Sequence, residues 1–287
     1  MQPGPTQPPP TPPLSFSGRL RAALRVQALL LGLILALPFH LLVHALTRRS
    51  SLPRLYLAFV ARVIGARVER CGTPLRRDAV FLANHVSWLD IPVLAGATGT
   101  AFVAKAEVAA APLIGWLCTL NHTVFVQREA RLDVAAQINA LHEAMADAHA
   151  IAIFPEGTTT DGQSLLPFKT AMLKVLEPAP PGVMVQPVLI DYGPLAPVLG
   201  WVGDEGGLAN AIKVLARKGT FAVRLHFLEP FSPEGLGGRK AIAAEARSRL
   251  EARLLETLGT PLRPFALDVP AVRYTAPGRE AHDRAEG

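Results

Sequence analysis

Cysteine is almost missing from this 287-residue chain, which holds two, Cys71 and Cys118. Their separation fits no Cys-x-x-Cys pattern, and that excludes a disulfide framework and a thiolate metal knot. Two reduced thiols agree with a domain that faces the cytosol. His122, His142 and His149 are scattered without ligand spacing, so no metal is expected. A Gly-rich nucleotide loop is lacking, and so is the Gly-x-Ser-x-Gly elbow of serine hydrolases. No small-x-small cleavage site follows the long apolar run near the start, which reads as a retained anchor and not as a cleaved signal.

What is present is apolar and basic. Half the residues are hydrophobic and the mean hydropathy is +0.28, a balance that leans away from an ordinary soluble enzyme. The formal net charge of +6 and a pI near 9.7 call for an anionic partner. A phospholipid surface suits that better than nucleic acid, because no basic motif interleaved with aromatics occurs.

Four regions follow from the pattern. Residues 1–17 are Pro, Gln, Thr and Ser with little to bury and read as a disordered tail. Residues 18–67 hold the anchor. From Val26 to Leu46 no side chain is formally charged with histidines neutral, a length of about 32 Å as a helix and enough for one bilayer core. Pro38, His40 and His44 interrupt it, so a bent helix entering one leaflet stands beside a full span. Arg19, Arg21 and Arg25 precede the run and Arg48 and Arg49 follow it, so the positive-inside rule sets no orientation. Leu52, Leu55, Tyr56, Phe59, Val60, Val63 and Ile64 then recur at helical spacing beside Arg54 and Arg62. This is a basic amphipathic helix suited to the headgroup layer, or to packing on its own domain.

Residues 68–258 alternate short apolar runs with helical ones, which predicts an α/β domain with a mixed central sheet flanked by helices. Strands are expected at 79–83, 101–104, 123–126, 151–154, 183–190 and 221–227. Helices are expected at 107–117, 131–149, 170–176, 208–217 and 240–258. Residues 259–287 form a loose tail.

Two stretches carry chemistry. Asn84-His85-Val86-Ser87-Trp88-Leu89-Asp90 supplies an imidazole and a carboxylate five residues later. A neutral imidazole is the usual base at physiological pH, and a carboxylate on its other nitrogen fixes the tautomer and stabilises the imidazolium. Five residues do not bring two side chains to one face of a helix, so the pair must meet across a strand-to-helix turn. Ser87 is expected to cap the helix that follows. Phe154-Pro155-Glu156-Gly157-Thr158 supplies a carboxylate, a glycine and a hydroxyl at a strand end.

In order, these stretches resemble the motifs of the glycerolipid acyltransferase family, whose bacterial members include 1-acylglycerol-3-phosphate acyltransferases. Asn84-His85-(four residues)-Asp90 is similar to its catalytic motif and Phe125-Val126-Gln127-Arg128 to its second. The second is preceded by a similar Lys105-x-Glu107 and Pro112-x-x-Gly115. Phe154 to Thr158 resembles the third and Val185-Gln186-Pro187-Val188 the fourth. The resemblance covers residues 68–230. It implies a membrane-bound O-acyltransferase with His85 as general base and Asp90 as its orienting partner. Arg128, Glu156, Gly157, Thr158 and Lys169 would bind the acceptor. No cofactor is implied; acyl-CoA or acyl-carrier-protein serves as co-substrate, membrane phospholipids surround the enzyme, and nucleic acid plays no part.

Glu156 cannot attract a phosphate, so it is expected to accept from acceptor hydroxyls or to organise backbone amides. Where many family members carry an arginine this chain has Thr159, with Lys169 as a possible substitute cation. The first-choice acceptor is 1-acyl-sn-glycerol-3-phosphate, and lyso-ornithine lipid is the alternative. A non-catalytic lipid-binding protein and a thioesterase using the same His–Asp pair are rival readings. The expected location is the bacterial inner membrane, with the catalytic domain facing the cytoplasm.

Overall fold

The computed structural model describes residues 14–47, 50–105, 109–110, 112–121, 123–126 and 150–263. Arg128, the helix expected at 131–149, His122, His142, His149, residues 1–13 of the N-terminal tail and the tail from 264 onward lie outside the described residues.

Helices α1 (Phe16–Thr47) and α2 (Leu52–Ile64) come first, then strands β1 (Ala66–Cys71) and β2 (Ala79–Ala83) and helix α3 (Asp90–Thr98). Strand β3 (Ala101–Lys105), helix α4 (Pro112–Leu120) and strands β4 (Val124–Val126), β5 (Ile151–Ile153) and β6 (Met184–Asp191) follow. The short α5 (Ala196–Leu199), α6 (Gly207–Ala216), β7 (Phe221–Phe227) and α7 (Arg239–Leu258) complete the order. Thr170–Leu176 is helical as expected, but as a 3-10 helix.

Seven strands form one sheet in the order β1-β7-β6-β2-β5-β3-β4. Strands β6, β2, β5, β3 and β4 run parallel, whereas β6 and β7 are antiparallel and β1 runs with β7. The sheet is mixed. β2 is wholly buried, as its unbroken Ala-Val-Phe-Leu-Ala run requires of a central strand covered on both faces. Its side chains alternate between two layers. Phe81 and Ala83 pack with Leu94, Val214 and Leu225, while Val80 and Leu82 pack with Ile153, Leu173 and Ile242. The sheet begins at Ala66, two residues before the change of pattern at Val68, because the edge strand β1 exposes four of its six residues and lacks an apolar run.

α1 is 32 residues, roughly 48 Å long, and is apolar enough to cross a membrane. It starts inside the segment read as tail. Ile34, Phe39 and Leu46 are 66 %, 63 % and 76 % exposed. Its N-terminal part is bolted to the domain. Arg21 Nη1 donates to the Ala216 carbonyl at 2.5 Å, and Arg25 Nη1 to those of Leu215 and Arg217 at 2.9 and 3.0 Å. Those carbonyls end α6, where helical partners run out and a cation is favoured.

α2 packs on its own domain and leaves part of its apolar surface exposed. Ala61 and Ile64 are buried while Leu55 is 58 % exposed, and Tyr56 donates to the Leu29 carbonyl of α1 at 3.1 Å. Against α3 it packs through Gly96, where a built Cβ would lie 2.7 Å from the Ala58 backbone. Arg54 donates to the Gly96 and Ala97 carbonyls at 3.4 and 3.0 Å, in the last turn of α3. A Gly96→Val wedge between these helices is expected to cost about 1–3 kcal/mol of stability, read as a lower denaturation midpoint of the detergent-solubilised protein.

Candidate active site

Three neighbouring parallel strands, β6, β2 and β5, end on the same side of the sheet, the side where open α/β sheets place their ligands. Each contributes to one cluster. β2 runs into Asn84 and His85, β5 into Phe154 and Glu156, and β6 into Tyr192. Asn84 replaces the ladder that the departing β2 backbone no longer makes: its Oδ1 accepts the Ile190 N–H at 2.7 Å and its Nδ2 donates to the Ile190 carbonyl at 3.1 Å.

The turn after β2 wraps around Asp90, which opens α3 and is fully buried. Oδ2 accepts the backbone N–H groups of Val86 at 2.7 Å and Ser87 at 3.0 Å, and lies 2.7 Å from His85 Nδ1. Oδ1 accepts the Tyr192 hydroxyl at 2.6 Å. Backbone and phenol donors meet both carboxylate oxygens, which offer His85 an acceptor as well. Nδ1 therefore carries the ring proton, and Nε2 is left as the basic nitrogen. Ser87 stands two residues ahead of the residue that flanks the helix, Leu89, and its Oγ accepts the Leu89 N–H at 3.4 Å. The expected Ser87 cap is therefore absent from the first turn of α3, and the Asp90 carboxylate instead ties the N–H groups of the turn before the helix.

Stacking fixes the imidazole plane. The His85 ring lies 4.2 Å from the Phe154 ring at 13°, and Phe154 lies 5.7 Å from Phe102 at 15°. The His85 side chain remains 19 % exposed, so the cluster is open to a reactant. The His85 backbone is held from both sides: its N–H donates to Glu156 Oε1 at 2.9 Å and its carbonyl accepts the Thr160 N–H at 2.8 Å.

Glu156 is fully buried, with Oε2 accepting the Leu166 N–H at 2.9 Å. Of the two roles expected for it, the geometry matches the organisation of backbone amides, since both oxygens face backbone N–H groups. It braces the loop that carries His85 and touches no open surface. Gly157 has φ +67°, and a built Cβ would lie 2.9 Å from Lys169 Cδ and 3.0 Å from its Nζ. Only glycine fits that conformation beneath that side chain. Lys169 is thereby brought over the Gly157 turn, where Thr158 is exposed. Thr159 turns the other way and its hydroxyl donates to the Trp201 carbonyl. Arg128 lies outside the described residues.

Tyr192 was not identifiable from the sequence as part of this cluster. Burial, with the adjacent Asp90 charge and the hydrogen bond to it, pushes its phenol well above the usual range, so it remains a neutral donor. The available signal was an aromatic residue directly after a predicted parallel strand.

Burial pushes the Glu156 carboxyl up from 4.5 to about 8, against its two amide donors, which lower it. The folded chain thus holds this proton more tightly than the unfolded chain. The stability linked to Glu156 is complete below pH 4.5 and is lost as pH rises through about 8. Urea denaturation across that window is expected to show the fall. Glu156→Gln, which keeps one amide acceptor and loses the other, is expected to be less stable at pH 5 and to have a flatter profile.

The Acyltransferase family model matches residues 64–191. A lyso-ornithine lipid O-acyltransferase of Rhodobacter capsulatus is 33 % identical over 255 residues, covering 83 % of this chain and 91 % of that protein. A 1-acyl-sn-glycerol-3-phosphate acyltransferase of Neisseria gonorrhoeae is 34 % identical over 117 residues, 41 % of this chain and 46 % of that protein. The crystal structure of the 1-acyl-sn-glycerophosphate acyltransferase of Thermotoga maritima superposes with a TM-score of 0.60 at 23 % identity, covering 83 % of this chain and 95 % of that one, and so shares the fold. With a relative matched over nine-tenths of its length and the family's motif region spanning β1 to the end of β6, the chain belongs to the acyltransferase family and is an enzyme of that class.

Proposed function

We propose that the protein is a membrane-associated O-acyltransferase that moves a fatty acyl chain from acyl-CoA or acyl-carrier-protein to the free hydroxyl of a lyso-lipid, with lyso-ornithine lipid as the favoured acceptor. The observation that carries the reaction is the His85–Asp90 pair at 2.7 Å, set at the strand ends with the imidazole partly exposed. α1 holds the domain at the bilayer. The catalytic face lies on the cytoplasmic side, where Cys71 and Cys118 stay reduced.

Nε2 of His85 takes the proton of the acceptor hydroxyl as that oxygen attacks the thioester carbonyl. Asp90 compensates the imidazolium. The tetrahedral intermediate collapses with cleavage of the carbon–sulfur bond, the thiolate recovers the proton, and an ester replaces the thioester. Glu156 and Thr160 position His85 through its backbone, and Tyr192 positions Asp90. Lys169, above the Gly157 turn beside Thr158, offers a cation to the acceptor's anionic group.

The choice of acceptor is supported by the length of the match. The lyso-ornithine lipid enzyme aligns over twice as much of this chain as the 1-acyl-sn-glycerol-3-phosphate enzyme does. Thr159 adds to it: the position where many family members present arginine is a hydroxyl tied to the Trp201 carbonyl. One observation favours the second reading, 1-acyl-sn-glycerol-3-phosphate. Lys169 reaches the turn where a phosphomonoester would sit.

His85→Ala is expected to lower acyl transfer by about 10²–10⁴-fold while leaving the protein in the membrane fraction. Labelled acyl-CoA or acyl-carrier-protein, supplied to isolated membranes with each lyso-lipid in turn, measures both the loss and the acceptor. Near-normal transfer by the variant would end the mechanism. Tyr192→Phe removes one of four donors from Asp90 and loosens the carboxylate that orients His85. It is expected to lower kcat in the same labelled-acyl assay while KM for the acyl donor stays unchanged. An unchanged kcat would remove Tyr192 from the positioning of Asp90.

A further inference from the structure

A second concavity lies far from His85. A cleft of about 650 Å³ opens between the first turn of α2, the last turn of α3 and the connection from β1 to β2, and Arg54, Arg70, Arg76 and Arg77 line it. β1 runs opposite to β2, because β1 follows β7 while β7 and β6 are antiparallel. The end of β1 therefore sits at the start of β2. The cleft is at the end of the sheet opposite the His85 cluster.

Its charge is not neutralised from within. Arg54 spends Nε and Nη2 on the carbonyls that end α3. Arg70, Arg76 and Arg77 form no ion pair among the described residues. Glu69, next to Arg70 in β1, points to the other face of the sheet, where it pairs with Arg224 at 3.3 Å. Four arginines lining one cleft, with no carboxylate in that lining, suit a phosphate, which free forked donors grip with paired hydrogen bonds.

The surroundings identify the phosphate's source. Leu55, adjacent to Arg54, is 58 % exposed, and α1, which meets α2 at Leu29–Tyr56 and Gly32–Phe59, exposes Leu35, Phe39 and Leu42. Apolar residues beside a basic cleft form the interfacial pattern, with the first entering the acyl boundary and the second meeting anionic headgroups.

We propose that this cleft seats the headgroup phosphate of an anionic bilayer phospholipid distinct from the acyl acceptor, tying the α2–α3 end of the domain to the membrane surface. The proposal rests on the membrane-associated reading above but not on the identity of the acceptor.

The test is native mass spectrometry of the full chain in detergent, titrated separately with phosphatidylglycerol, phosphatidylcholine and adenosine 3′,5′-bisphosphate, the nucleotide end of CoA. The wild type is expected to retain phosphatidylglycerol in preference to phosphatidylcholine. The R70Q/R76Q/R77Q variant, which leaves Arg54 to end α3, is expected to lose that preference by at least about tenfold. It should keep its melting temperature and its turnover on micellar acceptor. Equal retention of the two lipids by the wild type, or an unchanged preference in the variant, would overturn the proposal. So would a nucleotide that binds the wild type, fails on the variant and is accompanied by a raised KM for acyl-CoA. R76Q/R77Q, confined to the exposed turn, gives the same reading should the triple variant fold poorly. His85-dependent turnover of the wild type in the same preparation separates failure of the cleft from failure of the enzymatic reading.

Discussion

One buried carboxylate organises the His85 end of this molecule. Asp90 has no solvent to share its charge, so its position depends on donors brought to it from three places. Two come from the backbone of its own turn, one from His85 and one from Tyr192 at the end of a different strand. A buried charge left without such partners would cost several kcal/mol, so the turn has little freedom to adopt another shape. The shape that satisfies Asp90 also presents His85. Folding of the β2–α3 connection and construction of the dyad are thus one event, and the parallel ends of β6, β2 and β5 serve chiefly to bring the donors together.

Around this centre the supporting groups act on the backbone. Glu156 holds an amide of the His85 residue, Thr160 holds its carbonyl, and Asn84 closes the gap to Ile190. All three are buried polar residues, and they act where the β2 ladder stops and backbone groups need partners. The Phe102–Phe154–His85 stack adds apolar support on one face of the ring. The proposed acceptor contacts lie elsewhere, at the Gly157 turn with Thr158 and Lys169, which stay at the surface.

Much of this was legible in the sequence, for physical reasons. The strand at 79–83 showed itself as an unbroken apolar run. The five-residue His–Asp spacing, impossible on one helix face, required the turn that β2 and α3 provide. The α/β class followed from alternating strand and helix patterns. β1 was not legible, because Arg67, Glu69 and Arg70 on an edge strand give no periodic signal. Tyr192 was hidden by distance along the chain: it is 102 residues from Asp90, and only the pairing of β6 with β2 brings them together. Glu156 was found but its role was left open, since a sequence cannot show which way a carboxylate turns. The fate of Thr159 was equally invisible, because its partner is a carbonyl 42 residues away.

The clamped imidazole has a consequence for the order of events. A ring pinned through Nδ1 and pressed against Phe154 cannot rotate to serve two sites in turn. For the proposed reaction, the alcohol that gives up the proton and the sulfur that receives it must both lie within reach of one stationary nitrogen. No covalent acyl-protein stage is needed. Both substrates must be present together, so turnover should follow ternary-complex and not ping-pong kinetics, with double-reciprocal plots that intersect instead of running parallel.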